Sequence, residues 1–425
     1  MKLKISKIFL GLSSFQILAM FRRGLFYTYL SIYFRDFLKL TVTETTLYAT
    51  LPMIMSVIFQ NFVWGPISDR FQRRRTLIIL GETLAGIGTI LVWLIHYHFS
   101  NLFVAGFVII FGLAIIEIFW SMSNIGWSAL ISDLYPSLHR SRVMGQLTSI
   151  GGIGRMIGIS IGGLLYDSGF GFRDGPLFFV SSLVMFISTL PMLFTPEGGV
   201  KISKNNEPEI EQANKSTSNF KLVFWIFILS LLFINFGRNS ITIPYSQYLT
   251  LESGFNVNSI LLSYIANTRS VAVLLIGYSA GLLSKKIGHS RTLILGTCLS
   301  ITALIITALS PNLFLIFIGS FLFGAGDVII IASSYALASE LIPAKIRAKL
   351  FGVYNTTFFL SWGIAGTLIT APIIDLLIYH GISEVHAYVV SFLVAAAITG
   401  IGLLIFVGLE IILKIKKKRK KTLID

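Results

Sequence analysis

This chain has few charged residues, few histidines and one cysteine. Of its 425 residues, 12% are charged and 54% are hydrophobic, which is too apolar for a water-soluble protein of this length. The single cysteine, Cys298, excludes an intrachain disulfide and a cysteine-based metal site. The histidines fall at the ends of apolar runs or in loops, and the sequence contains no recognisable pair of nucleophile and base. We therefore expect no enzymatic activity, no bound metal and no cofactor.

Long apolar runs recur along the whole chain, and a helix needs about 20 such residues to cross a bilayer. The runs are continuous rather than alternating, which indicates helices and not the strands of a barrel. The first run lacks a small-residue cleavage site, so we expect it to be retained as a helix. We predict an all-α integral membrane protein with twelve transmembrane helices, at 8–34, 45–67, 76–97, 101–131, 142–166, 175–195, 221–249, 258–283, 292–309, 311–341, 350–378 and 387–413.

The lysines and arginines lie mainly on one side of the predicted membrane. If the N-terminus is cytoplasmic, the outer connections hold only Arg35, Lys39 and Arg173 among the basic residues, and the inner connections hold most of the others. Positively charged residues are enriched in the cytoplasmic loops of membrane proteins. This asymmetry therefore predicts that the chain spans a cell membrane with both termini in the cytoplasm. It also accounts for the formal net charge of +15 without a nucleic-acid partner.

Two segments of the first half return in the second half. The basic turn Gly65–Leu77 resembles Gly281–Leu293, and Ala129–Pro136 resembles Ala336–Pro343. A membrane protein written twice in this way is expected to form two pseudo-symmetric bundles of six helices. The expected domains are a first bundle over 1–195, a cytoplasmic linker over 196–220, a second bundle over 221–413 and a basic cytoplasmic tail over 414–425.

The first basic turn resembles the signature loop of the major facilitator superfamily, through Gly65, Asp69, Arg70, Arg73 and Arg74. The resemblance implies a monomeric secondary transporter that binds membrane lipids and a small-molecule substrate, and that works by alternating access with its two bundles rocking about a central site. It also implies that Asp69 and Arg70 stabilise the outward-open state. The second copy of the turn has Lys285 where the first has an aspartate, so the expected gating charge pair is one-sided.

A glycine-rich stretch in the fifth predicted helix is the second point of resemblance. Gly154, Gly158, Gly162 and Gly163 are similar to a motif of proton-driven drug antiporters, with Ile159 where that motif has a proline. Small residues at this spacing let two helices approach backbone to backbone. Tight helix packing with no bearing on the direction of transport is therefore an equally good interpretation.

Charged residues inside the predicted helices are the best candidates for functional residues. Each costs about 2.5–3.5 kcal/mol at the centre of the bilayer, so such residues normally have partners or face water. The segment Phe21–Tyr33 aligns with Phe236–Tyr248, which makes Arg23 and Arg238 repeat-related. The superfamily resemblance implies that helices one, four, seven and ten line the central cavity. The candidates are Arg22, Arg23, Glu117, Arg155, Arg238, Arg269 and Asp327.

These charges allow two interpretations. In the first, Glu117 neutralises Arg22, Arg23 or Arg155, and Asp327 neutralises Arg238 or Arg269, so that the charges only hold the bundles together. In the second, Arg23 and Arg238 clamp an anionic substrate, since guanidinium groups bind carboxylate and phosphate in bidentate fashion. Trp127 and Tyr335 are the aromatic residues that we expect to contact such a substrate.

The excess of arginines over acids favours transport of a small organic anion, by coupling to protons or another ion or by exchange. A proton-driven exporter of drugs or lipid-like hydrophobic compounds is the alternative, and a membrane sensor or scaffold that transports nothing is an alternative of another class. The acids Glu117 and Asp327 are the candidates for proton uptake, with Arg22, Arg155 and Arg269 as charge partners.

Overall fold

In the computed structural model, the described residues are 2–135, 137–199, 220–342 and 347–422, and every regular element among them is a helix. They divide into two compact units, which we call unit 1 (Met1–Ile210 with Val257–Asn267) and unit 2 (Glu211–Asn256 with Thr268–Asp425). Most of the predicted linker, 196–220, lies outside the described residues. The all-α prediction is confirmed.

Eight helices come before the predicted linker. They are α1 (Lys2–Ile32), α2 (Val42–Phe59), α3 (Gly65–Phe71), α4 (Arg74–His98), α5 (Leu102–Leu134), α6 (Ser137–Leu165), α7 (Phe170–Arg173) and α8 (Pro176–Met192).

Eight more follow the predicted linker, and the first turns of α11 belong to unit 1. They are α9 (Phe220–Ser240), α10 (Pro244–Thr250), α11 (Ser259–Ile287), α12 (His289–Leu309), α13 (Leu313–Leu341), α14 (Arg347–Ala365), α15 (Ala371–Tyr379) and α16 (Glu384–Thr422).

These helices provide the length and apolarity that the predicted membrane spans require. Ten helical segments of the described residues are long and apolar enough to cross a bilayer, and the bent pair Asp167–Arg173 and Pro176–Met192 makes an eleventh. The remaining predicted span, 8–34, coincides with the 31-residue helix α1 and the start of the π-helical turn that follows it. The last helix, α16, continues through much of the basic tail instead of ending at 413.

The two units share one pattern of helix packing. In unit 1, α1 packs along α6 and α8, and α4 packs along α5 and α8. In unit 2, α9 packs along α14 and α16, and α12 packs along α13 and α16. Each contact of the first set has its counterpart in the second when the sequence repeat is applied. The doubled sequence therefore forms two bundles that share these helix contacts.

Glycines set the distance between α1 and α6. A Cβ atom added at Gly154 would lie 2.2 Å from the Ile17 carbonyl oxygen, and one at Gly158 would lie 2.0 Å from that of Phe21. Further along α6, a Cβ at Gly162 or Gly163 would meet Tyr29 at 2.7–2.8 Å. Only glycine permits this approach, in which the two backbones are in contact.

Candidate functional site

A buried ion pair joins α1 to α4 inside unit 1. Arg22 Nη1 donates to Glu82 Oε2 at 2.6 Å, and the two side chains are 3% and 4% exposed. The Ser123 hydroxyl donates to the other carboxylate oxygen at 2.9 Å, and the guanidinium carbon of Arg22 lies 4.2 Å from the centre of the Trp120 ring. Arg22 is therefore neutralised by Glu82, whereas the sequence suggested Glu117 as its partner.

Glu82 is the site residue that sequence reasoning missed. It stands in the middle of the apolar helix α4, and a carboxylate at that depth is itself the signal that could have identified it. Its presence also corrects the charge count. Among the charges near the middle of the predicted membrane spans, five arginines face three acids rather than two, so the positive excess is smaller than the sequence alone suggested.

Glu117, on α5, has different surroundings from Glu82. Ser56 of α2 is its hydrogen-bond partner, and Arg22, Arg23 and Glu82 are near enough to act on its charge. Among the described residues Glu117 forms no ion pair within 4 Å. It is half-buried, so it is the intramembrane acid of unit 1 that a small ligand or a proton can reach most easily.

Arg23 and Arg155 are the remaining candidate arginines of unit 1. Both are exposed on the surface of this unit, on α1 and α6 respectively. Neither forms an ion pair with an acid in the described part of the chain. Unit 1 thus carries two exposed positive charges inside its predicted spans that no acid of its described residues contacts within 4 Å.

In unit 2, one carboxylate holds two arginines. Asp327 of α13 accepts hydrogen bonds from Arg238 of α9 through one oxygen and from Arg269 of α11 through the other. Arg238 is 1% exposed and its Nε also donates to Asn235 at 3.1 Å, while the Arg269 side chain is 31% exposed and its guanidinium carbon lies 4.4 Å from the Phe323 ring centre. Two guanidinium groups share one negative charge.

The repeat-related arginines thus lie in different surroundings. Arg238 is buried within its own unit and engaged by Asp327 and Asn235, whereas Arg23 is exposed. Equal positions in the repeat alignment do not give the two arginines equal contacts.

The two aromatic candidates pack against neighbouring side chains. Trp127 lies 5.0 Å from Phe15, centre to centre, at the edge of the apolar core of unit 1. Tyr335 is half-exposed and lies 5.2 Å from Phe351. A role in substrate contact remains a prediction for both residues.

The predicted gating loop forms a polar cluster at one end of unit 1, with Arg74 at its centre. Arg74 is 6% exposed, donates to Asp133 of α5 at 3.3 Å and also bonds to the Ser68 carbonyl. Asp69 lies 3.4 Å from Arg74 but its side chain is 84% exposed. Arg70 and Arg73 are both exposed. The buried member of the cluster is thus Arg74, on which the sequence placed no special role.

A further acid, Glu197, belongs to the same cluster. Arg75 Nε lies 2.9 Å from the Glu197 carboxylate, which also accepts a bond from the Thr76 backbone N–H at 3.0 Å. The first basic turn is therefore tied both to the end of α5 and to the segment that follows α8.

Unit 2 repeats this arrangement with weaker partners. His289 Nε2 lies 3.3 Å from Glu340, at the end of α13, and the Ser290 hydroxyl donates to Glu410 of α16 at 2.6 Å. In the repeat, Glu340 corresponds to Asp133, while Lys285 replaces Asp69 and a histidine and a serine stand where unit 1 has Arg73 and Arg74.

The described residues contain no cluster of three or more histidine, cysteine, aspartate or glutamate side chains that could hold a metal ion. Their polar groups at membrane depth are ion pairs and hydroxyls, which can bind, release and position charged ligands or protons. A multi-span helical protein with two repeated bundles and charged networks inside each is a membrane transporter.

Comparison with known proteins identifies the family. The profile of the Major Facilitator Superfamily matches residues 12–365 and 228–424, and the chain belongs to this superfamily. The multidrug resistance protein MdtG of Rahnella sp. is 28% identical over 346 residues, covering 81% of this chain and 80% of that protein. MdtG of Salmonella typhi is 28% identical over 328 residues, covering 76% and 77%.

Solved structures show the same fold at low sequence identity. The nucleoside transporter NupG has a TM-score of 0.70 at 16% identity, with 95% of this chain and 98% of that chain covered. A bacterial homolog of the human lysosomal transporter Spinster, in an inward-facing and unoccupied conformation, gives 0.71 at 16% identity, with 97% and 98% covered. A D-xylose-proton symporter gives 0.69 at 13% identity, with 93% and 97% covered. The prediction of a major facilitator transporter is confirmed.

Proposed function

We propose that this transporter is a proton-coupled exporter of lipophilic organic anions that works by alternating access. The proposal joins the two substrate classes left open by the sequence, an anion and a hydrophobic drug, into one amphipathic molecule with an acidic group. The observation that carries it is the exposed positive charge of Arg23 and Arg155 inside the predicted spans, for which the described residues provide no ion-pair partner.

Charge at this depth is costly unless it is compensated or used. The acids of unit 1 give Arg22 a direct partner in Glu82, but the described residues offer none to Arg23 or Arg155. In unit 2 a single aspartate serves two arginines. A substrate carboxylate would supply the missing negative charge, and its apolar body would suit aromatic surroundings such as the rings of Tyr27 and Trp120, whose centres lie 6.1 Å apart.

The relatives support export of lipophilic compounds. The MdtG proteins with 28% identity carry the name multidrug resistance proteins, and export of a compound is the way in which a membrane transporter confers resistance to it. The D-xylose-proton symporter shares the fold and couples its sugar to a proton. We therefore propose a proton as the driving ion here.

Glu117 is the acid that we assign to the proton. Glu82 and Asp327 each form ion pairs with arginines. Glu117 has a neutral hydrogen-bond partner, Ser56, and is half-buried. Its carboxyl group can therefore gain and lose a proton without breaking an ion pair of its own.

The remaining proposals concern topology and assembly. We propose a monomer in the bacterial inner membrane with both termini in the cytoplasm, because the basic loops then obey the positive-inside rule. The polar clusters around Arg74 and His289 would then lie on the cytoplasmic side.

The test is transport by the purified protein in liposomes with an imposed pH gradient. Three probes share one aryl-alkyl body and differ in charge, namely 4-phenylbutyrate, its neutral primary amide and a trimethylammonium analogue. We expect gradient-driven flux of the carboxylate at least about tenfold faster than that of the other two probes. The double variant Arg23→Gln with Arg155→Gln should lose this preference, with Arg73→Gln as the exposed control.

An exporter of neutral or cationic lipophiles is the second candidate. It is favoured by the observation that Arg22, Arg238 and Arg269 each have an acid of their own unit as partner, so that less positive charge remains for a substrate. Equal or faster flux of the amide or the ammonium probe would establish this function instead and reject the anion.

A further inference from the structure

The serine that bonds to Glu117 is itself held by a second polar side chain, one helical turn further along the chain. Gln60 Nε2 donates to the Ser56 hydroxyl oxygen at 2.8 Å. Ser56 is 8% exposed and Gln60 is half-buried. Because the serine oxygen accepts from the amide, its hydroxyl hydrogen is available to its other partner, Glu117. A chain of neutral groups thus runs from Gln60 through Ser56 to the carboxyl group.

A π-helical turn over Gln60–Trp64 follows α2 and leads into α3, where the predicted gating loop begins. Within this turn, Trp64 Nε1 donates to the backbone carbonyl of Ile118 on α5 at 2.7 Å. Helix α5 is therefore held at two consecutive residues, at Glu117 by Ser56 and at Ile118 by Trp64. Single π-helical turns are rare and occur frequently at functional sites.

Unit 2 has a different contact at the corresponding place. The repeat that aligns Gly65 with Gly281 also aligns Ser56 with Ala272 on α11. The acid of unit 2, Asp327, instead receives the charged side chain of Arg269 from α11. Equivalent helices thus offer a neutral hydroxyl group to one acid and a guanidinium group to the other. The neutral chain is therefore specific to unit 1.

Charged and titratable groups of two other helices lie near the Glu117 carboxyl group. They are Arg22, Arg23 and Tyr27 of α1 and Glu82 of α4. These groups act on the charge of Glu117 through space. Ser56 bonds to the carboxyl group directly, so it is the neighbour that can hold this group in one orientation.

We propose that Ser56, held by Gln60, positions the Glu117 carboxyl group for the gain and loss of the transported proton. When Glu117 is ionised, the Ser56 hydroxyl donates to it. When Glu117 carries the proton, the carboxyl O–H donates to Ser56, whose oxygen accepts two bonds, and the serine hydroxyl turns to a backbone carbonyl of the preceding helical turn. The proton comes from water and returns to water, so Ser56 is a positioning residue. The inference rests on the proposed function and deepens it.

Infrared difference spectroscopy of the full-length protein in liposomes tests this contact directly. A protonated carboxyl group has its own C=O stretching band, and the band that is missing in Glu117→Gln belongs to Glu117. Loss of a hydrogen bond moves such a band to higher frequency. We expect this shift in Ser56→Ala, and we expect Ser56→Thr, which keeps a hydroxyl group, to restore the frequency of the wild type.

Flux of 4-phenylbutyrate driven by a pH gradient is the functional measurement. Ser56→Ala should lower this flux about tenfold, since a hydrogen bond to a charged group is worth roughly that factor, and Gln60→Leu should lower it less. Ser182→Ala is the matched control for the serine, because Ser182 is also buried and donates to another helix, at 2.8 Å from the Gly86 carbonyl oxygen. Asn61→Leu is the control for Gln60, because Asn61 is exposed and its amide donates to the preceding helical turn.

The outcomes separate the positioning role from the proposed function. A shifted Glu117 band and reduced flux in Ser56→Ala, both restored in Ser56→Thr and both absent in the controls, support the role. If Ser56→Ala does not fold, as judged by its melting temperature, Gln60→Leu provides the same test. If only one of the two measurements changes, if neither changes, or if Ser182→Ala changes equally, the positioning role is overturned and the proposed function stands. If the wild type shows no gradient-driven flux, or if Glu117→Gln keeps it, the proposed proton coupling through Glu117 fails.

Discussion

Arg22 and Glu82 form a 2.6 Å ion pair between α1 and α4, and both side chains are almost completely buried. This contact links the first and third predicted spans at membrane depth, where the low dielectric strengthens the attraction and makes an unpaired charge expensive. Because Glu82 neutralises Arg22 inside the protein, only Arg23 of the two adjacent arginines in the first span is exposed.

Glu82→Gln should destabilise the protein strongly. Removal of one partner from a buried ion pair costs about 3–5 kcal/mol because the other charge stays buried. Thermal unfolding in detergent is the measurement, and Glu252→Gln, in an exposed turn, is the control. The double variant Arg22→Met with Glu82→Met should be more stable than Glu82→Gln alone. Unchanged melting of Glu82→Gln would show that the pair does not hold α1 to α4.

Gly158→Ala should lower the melting temperature by several degrees, because the new Cβ would lie 2.0 Å from the Phe21 carbonyl oxygen and would push α1 away from α6. Gly145→Ala on the same helix is the matched control, since a Cβ there meets no atom within 4 Å. We expect that control to be neutral or slightly stabilising through helix propensity. Equal effects of the two substitutions would refute close backbone packing as the reason for the glycine motif.

The sequence predicted the helical class, the spans and the repeat because these depend on composition and periodicity. It did not predict the partners of the charges. Repeat alignment gives the position of Arg238 along its helix but not which neighbouring helix faces it, and the contact with Asp327 follows from that neighbour. Glu82 was not identified as a site residue because it belongs to no sequence motif. The turn that separates α9 from α10 had a local signal in Pro244.

Arg238→Ala distinguishes a structural arginine from a substrate clamp. Arg238 is 1% exposed and bound to Asp327 and Asn235, so we expect its loss to reduce stability and to lower flux of charged and neutral probes alike. Melting temperature and the three-probe flux assay are the measurements. Selective loss of carboxylate flux in a variant of normal stability would restore Arg238 as a substrate ligand.

Asp133→Asn should affect the stability of the protein, whereas Asp69→Asn should affect the transport cycle. Asp133 is 14% exposed and its carboxylate accepts bonds from Arg74 at 3.3 Å and from the Gly199 backbone N–H at 2.9 Å, so its substitution should cost about 1–3 kcal/mol of stability. Asp69 is 84% exposed, and its substitution should change stability by less than about 0.5 kcal/mol. If Asp69 has the gating role, Asp69→Asn slows flux without changing which probe is selected. Altered selectivity in that variant would contradict the role.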